Sequence, residues 1–343
     1  MPRSPRAGGD GWTSAGEGAG DDVSPDAGPV LVTGAAGGLG GVGRMVVELL
    51  VARSVPVRAM AHRDDERAAA LRGLGVPVVV GDLTRPDDVA RALDGCRRMY
   101  FAMSVSPDYL EAAATVATVA RATGGLERLV AMSQLTVSQM NPLRTRESHQ
   151  QRLHWLSEQV LDWSGLPVAH VRPTAFCENP LFLSLAAHSI RRDGTLSLPF
   201  GAGRTSPVAA RDVARVVAAL LADPEAHREH VYELTGPRAQ DMSAVAEEYS
   251  RALGRTVSYV DVAPDWWSRE ILPAAGLPPF AQQHLLTLAR MHRENRFDRL
   301  TRTVEQVTGL PAQTIEAFVA EHRAAFTPVA GRRPVGATPG PGR

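Results

Sequence analysis

The sequence predicts an α/β fold with a doubly wound parallel sheet, followed by a smaller C-terminal α+β region. Three observations predict it. Short β-branched runs alternate with helix-patterned stretches from Pro29 to Pro173. The runs are nearly continuous in apolar residues, as in strands covered on both faces. Right-handed crossovers between parallel strands then leave the Rossmann arrangement as the natural architecture.

In chain order the expected strands are "PVLVTG" (29–34), "PVRAMAH" (56–62), "VPVVVGDL" (76–83), "RMYFAM" (98–103), "RLVAMSQ" (128–134) and "PVAHVRP" (167–173). Helices are expected near 43–53, 65–73, 86–94, 108–123 and 147–164. "Thr84-Arg85-Pro86-Asp87-Asp88" places a cap residue, a proline and two carboxylates at a helix start. Gly165 stops the long helix before the next strand. After Pro173 the alternation loosens. A helix is expected from about Arg211, short strands in "HVYELTGP" and "TVSYVDVAP" around a helix at 242–253, and helices near 264–274, 279–293 and 312–325. The resulting division is a dinucleotide-binding domain at 29–173 and a substrate-covering region at 174–326, partly interleaved with the sheet. The flanks 1–28 and 327–343, rich in Gly, Pro, Ser and charge, bury too little to offset ordering entropy and are expected to be disordered.

Composition narrows the function. The 343 residues include 37 basic and 37 acidic side chains, a net charge of zero that gives no pull toward nucleic acid or an anionic membrane. No apolar run approaches the ~20 residues of a membrane span, and the first residues lack an apolar signal segment, so a cytoplasmic protein is expected. Cys96 and Cys177 read as reduced thiols. All the basic residues are arginine; the chain contains no lysine.

The turn from Gly34 to Gly43 holds six glycines where a dinucleotide cradle needs three. In such a cradle one glycine permits the tight turn, one lets backbone approach the pyrophosphate, and one lets helix pack on strand. The phosphates rest on free N–H groups at the helix start. Gly34, Gly37 and Gly40 fit the spacing directly. Because the helix start lies nearest Gly43, the three roles go to Gly34, Gly37 and Gly43, with Leu39-Gly40-Gly41 lengthening the turn and Gly38 inside it. At the end of the second strand Arg63, rather than an acid, suits a 2′-phosphate, favouring NADP(H) with NAD(H) as the alternative. The alternative is that Asp64-Asp65 behind it marks a helix cap, with Arg63 merely solvated. Asp82, beside Leu83, either accepts from the adenine amino group or serves the helix entry. Ala102, at the end of the fourth strand, should pass beneath the coenzyme ribose.

Together, "VTGAAGG…VGRMVVELL", "VVVGDL", "LSEQVLDWSGLPVAHVRPTAFCEN", "ARDVARVVAALLADP" and "VYELTGP" resemble the NmrA-like, atypical branch of the short-chain dehydrogenase/reductase superfamily over roughly 29–263. Its landmarks fall at Ser164-Gly165, Arg172-Pro173 and Glu178-Asn179. The resemblance implies NAD(P)H binding and reduction of small molecules such as quinones, imines or activated alkenes, including natural-product intermediates. It also admits catalytically silent redox sensors that bind a partner protein. The superfamily's tyrosine and lysine positions would fall near Gln150 and His154, and without lysine that dyad cannot exist. Ser133 matches the superfamily serine, or is only a strand-end serine. His154 is a candidate proton donor near neutral pH, or a packing residue, and His149 carries the same ambiguity. Phe176 and Asn179 are candidates for a substrate pocket. "Trp266-Trp267" and "Leu277-Pro278-Pro279-Phe280" read as core or as a lid over the nicotinamide. His227 and His230, three apart, lack a third ligand in view, so no metal site is expected.

Overall fold

A computed structural model of the protein describes residues 28–37, 41–144 and 148–327. Its strands are β1 (Val30–Val32), β2 (Val57–Ala61), β3 (Val78–Val80), β4 (Arg98–Phe101), β5 (Arg128–Met132), β6 (Val168–Pro173), β7 (Thr195–Leu198), β8 (Arg204–Thr205), β9 (Val231–Leu234), β10 (Gln240–Asp241) and β11 (Ser258–Asp261). Seven form one parallel sheet in the order β3-β2-β1-β4-β5-β6-β9. All six strands expected before Pro173 are in it.

The helices are α1 (Val42–Ala52), α2 (Glu66–Arg72), α3 (Pro86–Leu93), α4 (Tyr109–Thr123), α5 (His149–Trp163), α6 (Ser184–Asp193), α7 (Ala210–Ala222), α8 (Met242–Leu253), α9 (Pro264–Trp266), α10 (Pro279–Arg293), α11 (Thr303–Thr308), α12 (Ile315–Glu321) and α13 (Arg323–Phe326). Strand periodicity divides the apolar side chains between two cores. Val30, Val32, Tyr100, Val130 and Val171 pack with α1 and α7 on one face. Leu31, Met99, Phe101, Leu129 and Val168 pack with α3, α4 and α5 on the other. A third core around Phe182, Tyr249, Trp267 and Phe318 holds the C-terminal region together.

Two short pairings, β11 with β7 and β10 with β8, lie in that region. Yet β9 completes the main sheet and α7 covers it, so the segment after residue 173 is interleaved with the sheet. Three differences from the expected elements have local causes. Thr84 does not cap α3: its hydroxyl and amide both bind Asp82 Oδ1, at 2.8 and 2.9 Å, and the cap position is Arg85. The helix expected at 264–274 breaks into α9, a π turn at Trp267–Ile271 and a 3-10 turn at Leu272–Ala275 that contains Pro273. The ten-residue α6, interrupted by Ser184, His188 and Ser189, and β7, β8 and β10, of two to four residues, are too short to be read from their pattern. Among the described residues no helix is long and apolar enough to cross a membrane. Cys96 and Cys177 are free and buried. Gly28 and Thr327 are described; the rest of the two tails lies outside the described residues.

Candidate active site

Beside β1 the chain order reverses, because β2 and β4 both neighbour it, and ligands of such sheets bind in the crevice outside the strand carboxyl ends. The turn after β1 is built there. Thr33 Oγ1 donates to the Tyr100 and Ala102 carbonyls at 3.1 and 2.9 Å, and the Ala102 amide donates back to Thr33 Oγ1. Gly34, at φ +67°, leaves no room for a side chain: a Cβ would lie 2.8 Å from the Ala102 oxygen. A Cβ on Gly43 would lie 2.7 Å from the Gly34 carbonyl, and one on Gly37 3.0 Å from the same oxygen. Helix α1 starts from Gly41 in the left-handed region without a side-chain cap. Its buried Val42, Val46, Val47 and Leu50 anchor it instead, at roughly 1.5–3 kcal/mol per side chain. Bare backbone thus faces the crevice at the start of a helix, the form a pyrophosphate requires.

The cradle opens into one cavity of about 350 Å³. Gly34, Gly37, Gly43, Ala102, Ser133, His154, Phe176 and Asn179 all line it. Thr174, Gln150 and His284, to which the sequence gave no catalytic or pocket role, line it too. Thr174 follows the carboxyl end of β6, a place that strand polarity alone marks as ligand-facing. His284 comes from α10, and nothing local distinguishes it. Leu277, Pro278, Leu285, Leu288 and Phe297 add an apolar cover. The expected lid therefore divides: Leu277 and Pro278 reach the cavity, Trp267 is core, and Phe280 packs against the His149 ring.

Ser133 Oγ, Thr174 Oγ1 and His154 Nδ1 are buried without a hydrogen-bond partner. For His154 the network fixes the proton. The Ser106 amide donates to Gln150 Oε1 at 3.3 Å, which orients that amide so that Gln150 Nε2 donates to His154 Nε2 at 3.0 Å. The neutral ring then carries its hydrogen on Nδ1, the unpartnered atom. Burial, with a smaller contribution from nearby His284, lowers the His154 pKa to about 3. The sequence's expectation of a His154 proton donor near neutral pH is thereby corrected: the ring offers a neutral N–H, not an imidazolium. Burial likewise lowers His284 to about 4. Tyr109 packs tilted against the His154 ring at 4.1 Å between centroids, but its hydroxyl is committed to the Met132 carbonyl at 2.6 Å, and burial raises its pKa.

Arg63, Asp82 and Leu83 do not line the cavity. Arg63 is exposed and, among the described residues, without a partner. Asp65 caps α2 and Asp64 pairs with Arg72. Arg67, unnoticed in the sequence, donates to the Ala36 carbonyl at 2.8 Å and so ties α2 to the glycine turn. Asp82 holds Thr84, whose amide is the main cause of its lowered pKa, and so serves the helix entry. Leu83 packs into the core under α3. Gly38 and Gly40 lie outside the described residues. The landmark residues have structural partners: Arg172 pairs with Glu158, and both Glu178 oxygens accept the Ala210 amide that begins α7.

The family model described as NAD(P)H-binding matches residues 37–224. An NAD(P)H azoreductase of Xenophilus azovorans is 30% identical over 292 residues, 84% of this chain and 97% of the relative. A (4-alkanoyl-5-oxo-2,5-dihydrofuran-3-yl)methyl phosphate reductase of Streptomyces griseus is 32% identical over 299 residues, 87% and 99% of the two chains. In fold, an NADPH-dependent quinone oxidoreductase of Escherichia coli solved with NADPH superimposes with a TM-score of 0.74 at 23% identity, covering 86% of this chain and 99% of that one. NmrA, a negative transcriptional regulator solved with NAD, does so at 0.70 and 18% identity, covering 86% and 95%. With a glycine cradle in which β-carbons on Gly34, Gly37 and Gly43 would press on backbone, and relatives matched over nearly their whole lengths, this chain belongs to the NAD(P)H-binding family and is an NAD(P)-dependent oxidoreductase.

Proposed function

We propose that this protein reduces a small, uncharged, conjugated acceptor, such as a quinone, azo compound, imine or activated alkene, without a Tyr-Lys acid. The observation that carries this reading is the cavity wall, which among the described residues is largely apolar, contains no arginine or carboxylate, and bears three polar groups whose buried atoms lack partners. Gly34, Gly37 and Gly43 would hold the coenzyme's pyrophosphate, Ala102 its ribose, and Arg63 a 2′-phosphate, the basis for preferring NADP(H). The bound coenzyme supplies a hydride.

The chain's own residues do the rest by position. Leu277, Pro278, Leu285, Leu288 and Phe297 exclude water, which strengthens every hydrogen bond inside. Ser133 Oγ and Thr174 Oγ1 donate to a heteroatom as it gains negative charge, a stabilisation fixed in place before reaction. Gln150 holds the His154 ring so that Nδ1–H is the third donor. Phe176 and Asn179 shape the wall. With His154 neutral and both nearby tyrosines raised in pKa by burial, the proton that completes reduction comes from solvent. Acceptors that tolerate late protonation suit this site better than simple ketones. The Streptomyces relative is named for a phosphate-bearing substrate, whereas no cation among the described residues lines this cavity, which favours an uncharged acceptor.

The test is NADPH oxidation with a panel of quinones, azo dyes, imines and enones. Turnover on at least one class, and none on simple ketones, is expected. Tight coenzyme binding with no turnover on any acceptor would instead make the protein a redox sensor.

A further inference from the structure

We propose that Asp162, His170 and His230 form a binding site for one divalent ion of the zinc class, away from the cavity and independent of the reductase reading. Sequence spacing pairs His230 with His227; the fold pairs it with two other residues. Asp162 sits in the last turn of α5, His170 in the first half of β6, and His230 directly before β9. The cross-strand bond from the His170 amide to the His230 carbonyl, 2.8 Å, holds the two histidines side by side. The cluster therefore lies toward the amino ends of β6 and β9, whereas the cavity uses the carboxyl ends.

Both imidazoles turn Nε2 toward one carboxylate oxygen. His170 Nε2 is 2.7 Å and His230 Nε2 3.1 Å from Asp162 Oδ1. One potential ligand atom from each residue lies within 4.8 Å of the others. Ligands ~2.0–2.2 Å from a common ion are separated by about 3 Å along an edge of the coordination polyhedron, so the spacing fits. Tautomer chemistry adds a second argument. His230 Nδ1 lies 3.1 Å from the Val168 carbonyl, which can only accept, so Nδ1 carries the hydrogen. That leaves Nε2, which faces the carboxylate oxygen, as the ring atom free to take a proton or to ligate a metal ion. A backbone carbonyl on Nδ1 is also the support that orients metal-binding imidazoles. His170 lacks such support, its Nδ1 being buried without a partner, so His230 is the better residue to test.

Two imidazoles and one carboxylate suit zinc, cobalt or nickel rather than magnesium or calcium. Partial exposure of Asp162 and His230 leaves an entry path and room for water to complete the shell. Such an ion would fasten the end of α5 to the β6–β9 edge, a structural rather than catalytic task.

Chelator-treated full-length protein is titrated with Zn²⁺ alone by calorimetry, and Co²⁺ binding is followed by its visible spectrum. One ion per chain and a raised thermal midpoint are expected. His230→Ala should weaken Zn²⁺ binding by at least about 100-fold, the upper end of what losing a mere supporting group costs. Asp162→Asn should weaken it similarly, and NADPH-dependent turnover of His230→Ala should stay at the wild-type rate. No Zn²⁺ binding, or unchanged binding in both variants, overturns the proposal.

Discussion

A β-carbon on Gly43 would stand 2.7 Å from the carbonyl carbon and oxygen of Gly34, backbone pressed on backbone. Gly43 has no positive φ, so space alone is at issue. Gly43→Ala should cost about 1–3 kcal/mol in denaturant unfolding and weaken NADPH binding at least tenfold. Gly41 is the contrast: it lies at φ +60° with nothing within 4 Å of a Cβ. Gly41→Ala should cost about 1–2 kcal/mol of backbone strain and leave more coenzyme affinity. Equal affinity losses would refute the close approach as the cause.

Ser133 and Thr174 separate a functional from a structural role unusually well. Their hydroxyl oxygens have no partner in the protein, so Ser133→Ala and Thr174→Val should leave stability unchanged or slightly higher. Each should lower kcat by about 10- to 100-fold, less than a dedicated oxyanion donor supplies, with coenzyme affinity retained. A stability loss with normal kcat would assign both to packing.

The two arginines near the glycine turn should behave differently. Arg63→Ala is expected to weaken NADPH binding about tenfold, the loss of one charge-assisted contact, while NADH binding holds. Arg67→Ala, which releases the Ala36 carbonyl, should weaken both coenzymes alike. Equal losses for Arg63→Ala would remove it from 2′-phosphate recognition. Calorimetry with each coenzyme reads both outcomes.

Three buried histidines set the acid response. Burial lowers His154 and His292 to about 3 and His284 to about 4, from 6.5. Below pH 6.5 the unfolded chain binds protons that the folded chain refuses, so this stability is present above 6.5 and lost as pH falls toward 4. Each ring contributes a slope of about 1.4 kcal/mol per pH unit within that window. Unfolding free energy should therefore drop steeply between pH 6 and 5, as denaturant titrations at each pH would show. A flat profile would mean that these rings are protonated in the folded state. Over the same range His154 should add no inflection to kcat.

Much of the sheet was legible because each strand before Pro173 is a compact apolar run whose alternate residues fill two cores. The need for glycine at Gly34 and Gly43 was legible too, since a β-carbon at either has no room. The polar wall was read only in part. Ser133 could be found at a strand end, but the unpartnered state of Thr174 depends on what surrounds it, and His284 arrives from a helix more than a hundred residues after Ser133. His154 shows the limit most clearly, because its residue type promised a neutral-pH acid and only burial, which spacing does not encode, withdraws it. The Asp162-His170-His230 cluster was invisible for the same reason: strand pairing, not sequence proximity, assembles it.

The cavity's composite wall has an engineering consequence. Its glycine turn and hydroxyl donors come from segments ending at Thr174, while its cover from Leu277 to Phe297 arrives as one later block. Grafting that block from a relative with another appetite should transplant acceptor scope while sparing the coenzyme grip, so new chemistries can be bred here by swapping a roof.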